Sequence, residues 1–202
     1  MPTEPAARDF ALATAGVILA GGKSSRFGSN KALARHRGRP LVAHVAMVLE
    51  ELFSERLLVT NTPAEYAFLG WPMTGDIVLN AGPLAGIQAA LHHIAAPRAF
   101  VVACDMPRLN GEIIRRLCRC PGDWDVVLPA TATGPEPLHA VYHRRILPAV
   151  QEALARGEGK LGQLLQELRV REMNAAELGL TTAADPAFTN INFREDLDRQ
   201  PS

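Results

Sequence analysis

The chain has no excess of charge of either sign, because 21 lysines and arginines balance 21 aspartates and glutamates among its 202 residues. A protein that neutralises many nucleic-acid phosphates normally carries a basic surplus, so we expect no nucleic-acid partner. No apolar run approaches the length of a membrane span, so we expect no membrane partner either. At 48% hydrophobic residues, the composition is that of a globular protein with a sizeable core.

Cysteine is also scarce. Cys104, Cys118 and Cys120 make an odd number and lack the paired spacing of a zinc site. We therefore predict free thiols, which are typical of a reducing cytoplasm. The apolar run 10–20 is not interpreted as a secretory signal, because the residues before it carry no net positive charge.

Apolar patterns of strand and helix type alternate along the chain. This alternation predicts an α/β fold with a mainly parallel, mixed central sheet covered by helices on both faces. We expect a disordered segment over 1–14 and a single domain over 15–198. Strands are predicted at 16–20, 56–60, 76–79, 99–104, 125–130, 138–143 and 170–173, and helices at 40–53, 86–95, 111–120, 146–157 and 160–168.

The stretch "LAGGKSSRFGSNK" (19–31) follows the first predicted strand and contains three glycines and three cations. It does not fit the dinucleotide fingerprint, and it misses the Walker A pattern because the first glycine of that pattern falls on Val17. A broader cradle fits better: paired glycines bring backbone N–H groups onto phosphate oxygens, and Lys23, Arg26 and Lys31 supply charge along a triphosphate. A basic surface loop without a ligand is the alternative.

This stretch resembles the L-A-G-G-x-S-x-R-x-G-x-x-K signature of nucleotidyltransferases, which transfer a nucleoside monophosphate from an NTP onto a phosphate. The resemblance implies a three-layer Rossmann-like fold and places Arg26 near the phosphates. Many family members have Asp or Glu at the position of Asn30 and Met at that of Phe27. The NTP-binding residues that the resemblance implies are Leu19, Ala20, Gly21, Gly22 and Lys31.

"AFVVACDMPRL" (99–109) presents Asp105 where a buried strand meets a loop. A carboxylate there suits Mg²⁺, which takes one or two carboxylates and keeps its other positions for water and phosphates. The alternative is that Asp105 only caps the turn or the following helix. In the nucleotidyltransferases that this chain resembles, the Asp of a D-x-P at this point holds Mg²⁺, so the resemblance implies a catalytic, metal-binding Asp105.

Two further loops follow predicted strands. In "DIVLNAGPLAGI" (76–87), Gly82 and Gly86 bracket a proline before a helix, which gives either a phosphate-binding turn or a plain helix entry. Asn61 either contacts a base or makes a turn. The resemblance implies that Asn61 and Asp76 bind the nucleotide, together with Gly82.

"GPLAGI", "EPLHAVYHRRILPAVQEAL" (136–154) and "FTNINFREDL" (188–197) resemble segments of the molybdenum cofactor guanylyltransferases, and the similarity extends from about Gly16 to Leu197. This family attaches GMP to molybdopterin, so the resemblance implies GTP and molybdopterin as substrates and transient contacts with cofactor-synthesis proteins. It also implies that Asn190 and Asn192 touch the pterin, although Asn192 could instead cap the next helix.

Three rival functions remain open at this point. The same chemistry could use CTP, or a sugar or alcohol phosphate as acceptor. A non-catalytic nucleotide sensor would not need both Asp105 and Lys31. A P-loop hydrolase is disfavoured by the misplaced Gly16, and it would act on GTP without an acceptor.

Overall fold

A mixed β-sheet with helices on both faces organises the protein. The structure, a computed structural model, describes residues 13–21 and 30–191. The main sheet has the strand order β10-β7-β9-β6-β1-β4-β5, with β8 paired to β7, and β2 and β3 form a separate hairpin. The strands are β1 Thr14–Leu19, β2 Arg35–His36, β3 Arg39–Pro40, β4 Arg56–Val59, β5 Met73–Thr74, β6 Arg98–Ala103, β7 Val126–Thr131, β8 Gly134–Pro135, β9 His139–His143 and β10 Val170–Met173.

Five α-helices and four short 3₁₀ helices within the described residues connect these strands. The α-helices are α1 Leu41–Leu52, α2 Pro83–His93, α3 Gly111–Cys118, α4 Leu147–Ala155 and α5 Leu161–Gln166. The 3₁₀ helices are Lys31–Leu33, Pro63–Leu69, Arg144–Ile146 and Pro186–Phe188. No helix within the described residues has the length and apolar character needed to cross a membrane.

The sheet separates two apolar cores because successive side chains of a strand point to opposite faces. Ile18 of β1 packs in one core with α1, and Val17 packs in the other with α2. Both side chains are fully buried. Burial on both faces explains why the central strands are continuous apolar runs rather than alternating ones.

The predicted fold class is confirmed: β1, β4, β5 and β6 are parallel neighbours, and β9 runs antiparallel between β6 and β7. All five predicted helices are present. β1 begins at Thr14, so the boundary of the predicted amino-terminal segment falls on the first residue of a strand. The rest of that segment, 1–12, and the chain beyond Ile191 lie outside the described residues.

The strand predicted at 76–79 is wrong. This stretch is a loop in which Ile77 and Leu79 are half exposed or more, and the edge strand is β5, three residues earlier. The N–H of Asp76 donates to the side-chain oxygen of Asn61 at 2.9 Å instead of to a neighbouring strand. The chain therefore leaves the sheet after Thr74, and an apolar run of four residues does not reveal this from sequence.

Two arginines hold the carboxylate of Asp125 beside the amino-terminal end of β7. Arg145 Nε donates to Oδ1 at 2.6 Å, and the backbone N–H and Nε of Arg169 donate to Oδ2 at 2.9 and 3.2 Å. Burial alone would raise the pKa of Asp125, but the hydrogen bonds from Arg169 and Arg145 outweigh it and lower the pKa to about 2. The ionised carboxylate therefore links the start of β7 to Arg145 and Arg169 and stabilises this end of the sheet.

Replacing Asp125 with asparagine should lower the free energy of unfolding at pH 7 by up to about 2 kcal/mol. Because the folded-state pKa is below the ordinary value of about 3.9, the carboxylate stabilises the fold above that pH, and its contribution declines as pH falls towards 2. Urea unfolding of both proteins from pH 7 to pH 3 measures the difference, which should start to shrink near pH 4. A difference that stays constant over this range would contradict the assigned role.

Candidate functional site

The carboxyl ends of three parallel strands meet at one edge of the sheet. Leu19, the last residue of β1, lies in register with Val59 of β4 on one side and Ala103 of β6 on the other. The pairing continues one residue further, since Ala20 N–H donates to Val59 C=O at 2.9 Å and Cys104 N–H to Leu19 C=O at 3.2 Å. The loops after these strands therefore leave the sheet side by side, where ligands of open α/β sheets bind.

The glycine-rich loop begins at this edge. Leu19 and Ala20 are buried, and Gly21 is exposed just beyond them, with no atom of the described residues within 4 Å of the position that a Cβ would take. Gly22, Lys23 and Arg26, the other predicted residues of the loop, lie outside the described part of the chain.

The structure brings together Lys31 and Asp105, although 73 residues separate them along the chain. Lys31 Nζ lies 2.5 Å from Asp105 Oδ2, and their side chains are only 14% and 19% exposed. The other carboxylate oxygen of Asp105, Oδ1, is buried and has no hydrogen-bond partner among the described residues. The ammonium group of Lys31 therefore pairs with Oδ2 of Asp105, and Oδ1 remains available as a ligand for a metal ion.

The capping role that was considered for Asp105 belongs to another residue. Asn110 is the N-cap of α3, and its side-chain oxygen accepts from the N–H of Glu112 at 2.9 Å. The Asp105 side chain instead accepts a hydrogen bond from Lys31 Nζ. The strand before it ends at Ala103, and Cys104 and Asp105 form the turn that follows.

Asn61 and Asp76 form a clamp between the loops after β4 and β5. Asn61 Nδ2 donates to Asp76 Oδ2 at 2.8 Å, and Asp76 N–H donates back to Asn61 Oδ1 at 2.9 Å. Both residues are at least partly exposed at the edge where Gly21 emerges. The interpretation of Asn61 as a plain turn residue does not account for this reciprocal pair.

Gly82 precedes α2 with φ +69° and ψ −158°, a conformation that a residue with a Cβ rarely adopts. It serves as the N-cap of α2, where no side chain caps the helix and Pro83 occupies the first turn. Four residues later, a Cβ on Gly86 would lie 3.1 Å from Leu19 Cδ2, so this glycine allows α2 to pack closely against the end of β1. The two glycines bring the positive end of α2 towards the glycine-rich loop.

The described part of the carboxyl-terminal "NIN" segment, Asn190 and Ile191, lies at the same site. Ile191 N–H donates to Asp105 C=O at 3.0 Å, so the predicted pterin-contacting segment lies directly beside the predicted metal ligand. Oδ1 of Asn190 is buried with no hydrogen-bond partner among the described residues. Asn192 lies outside the described residues, and so does its possible role as a helix cap.

Glu136 is a neighbour of Asp105 that the sequence reasoning did not select. Burial raises the pKa of the Glu136 carboxyl, the Leu138 N–H at 3.2 Å lowers it, and the nearby charge of Asp105 raises it. The signal was present in the "EPLHAVY" motif, but only the antiparallel pairing of β9 with β6 brings its first residue towards Asp105. The site therefore contains a carboxyl group, that of Glu136, that the sequence did not predict there.

The two histidines of β9 have separate structural surroundings. His139 is fully buried between the rings of Phe100 and Phe188, with centroid distances of 5.1 and 5.2 Å, and burial lowers its pKa to about 3. His143 Nδ1 accepts from Arg145 N–H at 3.1 Å and caps the following 3₁₀ helix. The two rings therefore make unrelated contacts.

Residues 16–173 match the MobA-like NTP transferase domain. A probable molybdenum cofactor guanylyltransferase of Deinococcus radiodurans is 41% identical over 182 residues, 89% of this chain and 90% of the relative. A protein of the same name from Carboxydothermus hydrogenoformans is 36% identical over 90% of this chain and 92% of its own. The crystal structure of molybdopterin-guanine dinucleotide biosynthesis protein A from Archaeoglobus fulgidus superposes with a TM-score of 0.77 at 26% identity, covering 91% of this chain and 94% of that one.

Proposed function

The chain belongs to the MobA-like NTP transferase family, and from this membership we propose that it transfers GMP from GTP to the terminal phosphate of molybdopterin, releasing pyrophosphate. The motif resemblance to molybdenum cofactor guanylyltransferases is confirmed by relatives of that name that span almost the whole chain. The observation that carries the proposal is the meeting of Lys31 and Asp105 beside the glycine-rich loop. A lysine and a carboxylate placed there suit a nucleotide bound with a divalent cation.

In the proposed reaction, an oxygen of the molybdopterin phosphate forms a bond to the α-phosphorus of GTP. The bond from that phosphorus to the bridging oxygen of the β-phosphate breaks, and pyrophosphate takes the electron pair. Because a phosphomonoester loses its second proton near pH ~6, the attacking phosphate is mostly a dianion at neutral pH and needs no general base. The protein has to position two anions that repel each other and neutralise the leaving group.

We assign the triphosphate to Lys31, Arg26 and the backbone of the glycine-rich loop, whose members are Leu19, Ala20, Gly21 and Gly22. Asn61, Asp76 and Gly82 would hold the nucleoside part, because the clamp and the start of α2 border the same opening. Asn190 and Asn192 would face the acceptor beside Asp105. For Lys31 to contact the triphosphate, its ammonium group would leave Asp105. Substrate binding would then replace Asp105 by the phosphates as the partner of Lys31, and Lys31 by the cation as the partner of Asp105.

The buried Oδ1 of Asp105, which has no hydrogen-bond partner among the described residues, fits a divalent cation such as Mg²⁺. Asp105 would hold it, and when bound it would supply charge neutralisation at the phosphates. Glu136 adds a second carboxyl nearby, which makes the site more attractive to a cation. Handover of the product to other proteins of cofactor synthesis would follow by transient contact.

The test is pyrophosphate release with Mg²⁺ and molybdopterin, compared for GTP, CTP and ATP. Release with GTP, and only when the pterin is present, is the expected result. Release with CTP instead would assign the chain to cytidylyl transfer and overturn the choice of nucleotide. No release with any nucleotide would overturn the acceptor, and sugar and alcohol phosphates would then be screened; phosphate release from GTP alone would indicate a hydrolase.

A further inference from the structure

Tyr66 is a buried tyrosine whose hydroxyl points towards the lysine turn of the site. It lies in the 3₁₀ helix Pro63–Leu69, which follows Asn61, and its side chain is 1% exposed. Its ring belongs to the core that also contains Ala32, the residue after Lys31. The segment that carries the Asn61 clamp is thus also packed against the turn that carries Lys31.

The hydroxyl of Tyr66 is hydrogen-bonded to the side chain of Asn30. Asn30 Nδ2 donates to the hydroxyl oxygen at 2.9 Å, and the hydroxyl donates to Asn30 Oδ1 at 3.2 Å. The amide has one consistent orientation, because Oδ1 also accepts from Ala32 N–H at 3.2 Å and Nδ2 also donates to Glu65 Oε2 at 2.5 Å. Three residues of two separate segments therefore fix one amide group.

Asn30 in turn fixes the backbone of Lys31. It is the N-cap of the 3₁₀ helix Lys31–Leu33, and its C=O accepts from Leu33 N–H at 3.1 Å. At the other end, Ala34 N–H donates to Lys31 C=O at 3.0 Å, and Ala34 C=O accepts from Leu41 at the start of α1. The direction in which the Lys31 side chain enters the pocket thus depends on this cap.

We propose that Tyr66 is a positioning residue for the nucleotide: its hydroxyl holds the Asn30 cap, and the cap directs Lys31 towards the phosphates. The proposal rests on the proposed function for the identity of the nucleotide. Burial raises the pKa of Tyr66 to about 12, with hydrogen bonding to Asn30 as an opposing influence, so the hydroxyl keeps its proton at neutral pH and remains a donor.

Tyr66→Phe tests this because it keeps the buried ring and removes only the hydroxyl. Calorimetric binding of α,β-methylene-GTP with Mg²⁺ should weaken about 10-fold, which is the effect of one lost hydrogen bond. In a Lys31→Met background the same substitution should change the affinity less than about 2-fold, since the lysine through which it acts is gone. Binding is measured rather than turnover, so that inactive variants remain informative.

Tyr142→Phe is the matched control. It removes the hydroxyl of a fully buried tyrosine that donates to the Pro137 C=O at 2.8 Å and does not contact Asn30. Its affinity for the nucleotide analogue should equal that of the unsubstituted protein. Equal weakening by both tyrosine substitutions, or an undiminished effect of Tyr66→Phe without Lys31, would show a general loss of packing and overturn the proposal.

A second pair of variants tests the cap itself. Asn30→Asp keeps the acceptor for Ala32 N–H but places a carboxylate beside that of Glu65, so the affinity should fall about 5-fold. Adding Glu65→Gln restores a donor opposite the new carboxylate and should return the affinity to within about 2-fold. A double variant that binds no better than Asn30→Asp would contradict the cap arrangement.

The same proteins are assayed for pyrophosphate release with molybdopterin. If the unsubstituted protein releases none while the binding pattern holds, the proposed transfer fails and the positioning role of Tyr66 stands. If transfer occurs but Tyr66→Phe binds and turns over normally, only the positioning role fails.

Discussion

Replacing Asp105 with asparagine should lower kcat/KM for GMP transfer about 100-fold or more. The substitution keeps the size of the side chain but removes the negative charge that is paired with Lys31 and available to a cation through its buried Oδ1. An amide cannot replace that charge, because its nitrogen is a donor that would face the metal or the lysine. Pyrophosphate release under saturating Mg²⁺ measures the loss, and thermal unfolding shows that the fold remains.

Asp123→Asn is the control for this substitution. Asp123 also pairs with arginines, but its side chain is 72% exposed at the opposite edge of the sheet. We expect its transfer rate to stay within about 2-fold of the unsubstituted protein, because an exposed pair contributes little. Transfer by Asp105→Asn at a rate near that of this control would remove Asp105 from the reaction.

The central fold was predictable because strands buried on both faces carry an unmistakable apolar pattern. Residues 99–104 are the example: they are β6 to within one residue, and the four middle residues of that strand are buried. Residues 170–173 coincide with β10, but this is an edge strand of which only Met173 is buried. Helix starts were predicted less evenly: Pro40 stands just before α1, close to the predicted start, whereas α2 begins at Pro83, three residues before the predicted start at 86. Local chemistry decides these elements, so the sequence carries the signal.

The edge of the sheet was less predictable. The strand expected at 76–79 is a loop because the Asn61 side chain takes the Asp76 N–H, and this contact spans 15 residues of chain. The hairpin of β2 and β3 has only two residues per strand, joined through Arg37 and Gly38 with φ +48° and +81°. Elements this short are fixed by contacts with the rest of the molecule rather than by their own pattern.

The candidate site likewise has features that the sequence predicted and contacts that it did not. The position of Asp105 and of the glycine-rich loop followed from the rule that loops at the carboxyl ends of parallel strands lie together. The direct contact between Lys31 and Asp105, the cap made by Asn30 and Tyr66, and the proximity of Glu136 are tertiary contacts that no spacing rule reports. These contacts also suggest how the pocket changes when its ligands arrive.

Replacing Lys31 with methionine should have two effects of opposite sign. GMP transfer should fall about 100-fold or more, because a cation that neutralises the phosphates is lost. Binding of Mn²⁺ in the absence of nucleotide should tighten about 10-fold, because Asp105 Oδ2 no longer has an ammonium group at 2.5 Å competing with the metal. Methionine is chosen because it is unbranched and uncharged, and therefore occupies nearly the same space as the methylene groups of the lysine. Titration with Mn²⁺, followed through the paramagnetic resonance signal of the free ion, measures the second effect.

The gain in metal affinity has to pass through Asp105 for this interpretation to hold. In an Asp105→Asn background, Lys31→Met should therefore leave Mn²⁺ binding weak and unchanged. A gain that persists there would indicate a different metal ligand, for which Glu136 is a candidate because its carboxyl senses the charge of Asp105. Weaker Mn²⁺ binding in Lys31→Met alone would show that the lysine supports the metal site rather than competing for it. The expected pattern instead describes an enzyme in which Lys31 neutralises Asp105 while the pocket is empty and moves to the phosphates when nucleotide and cation enter together. The same exchange would keep two anionic groups, the carboxylate and the triphosphate, from facing each other without a positive charge between them.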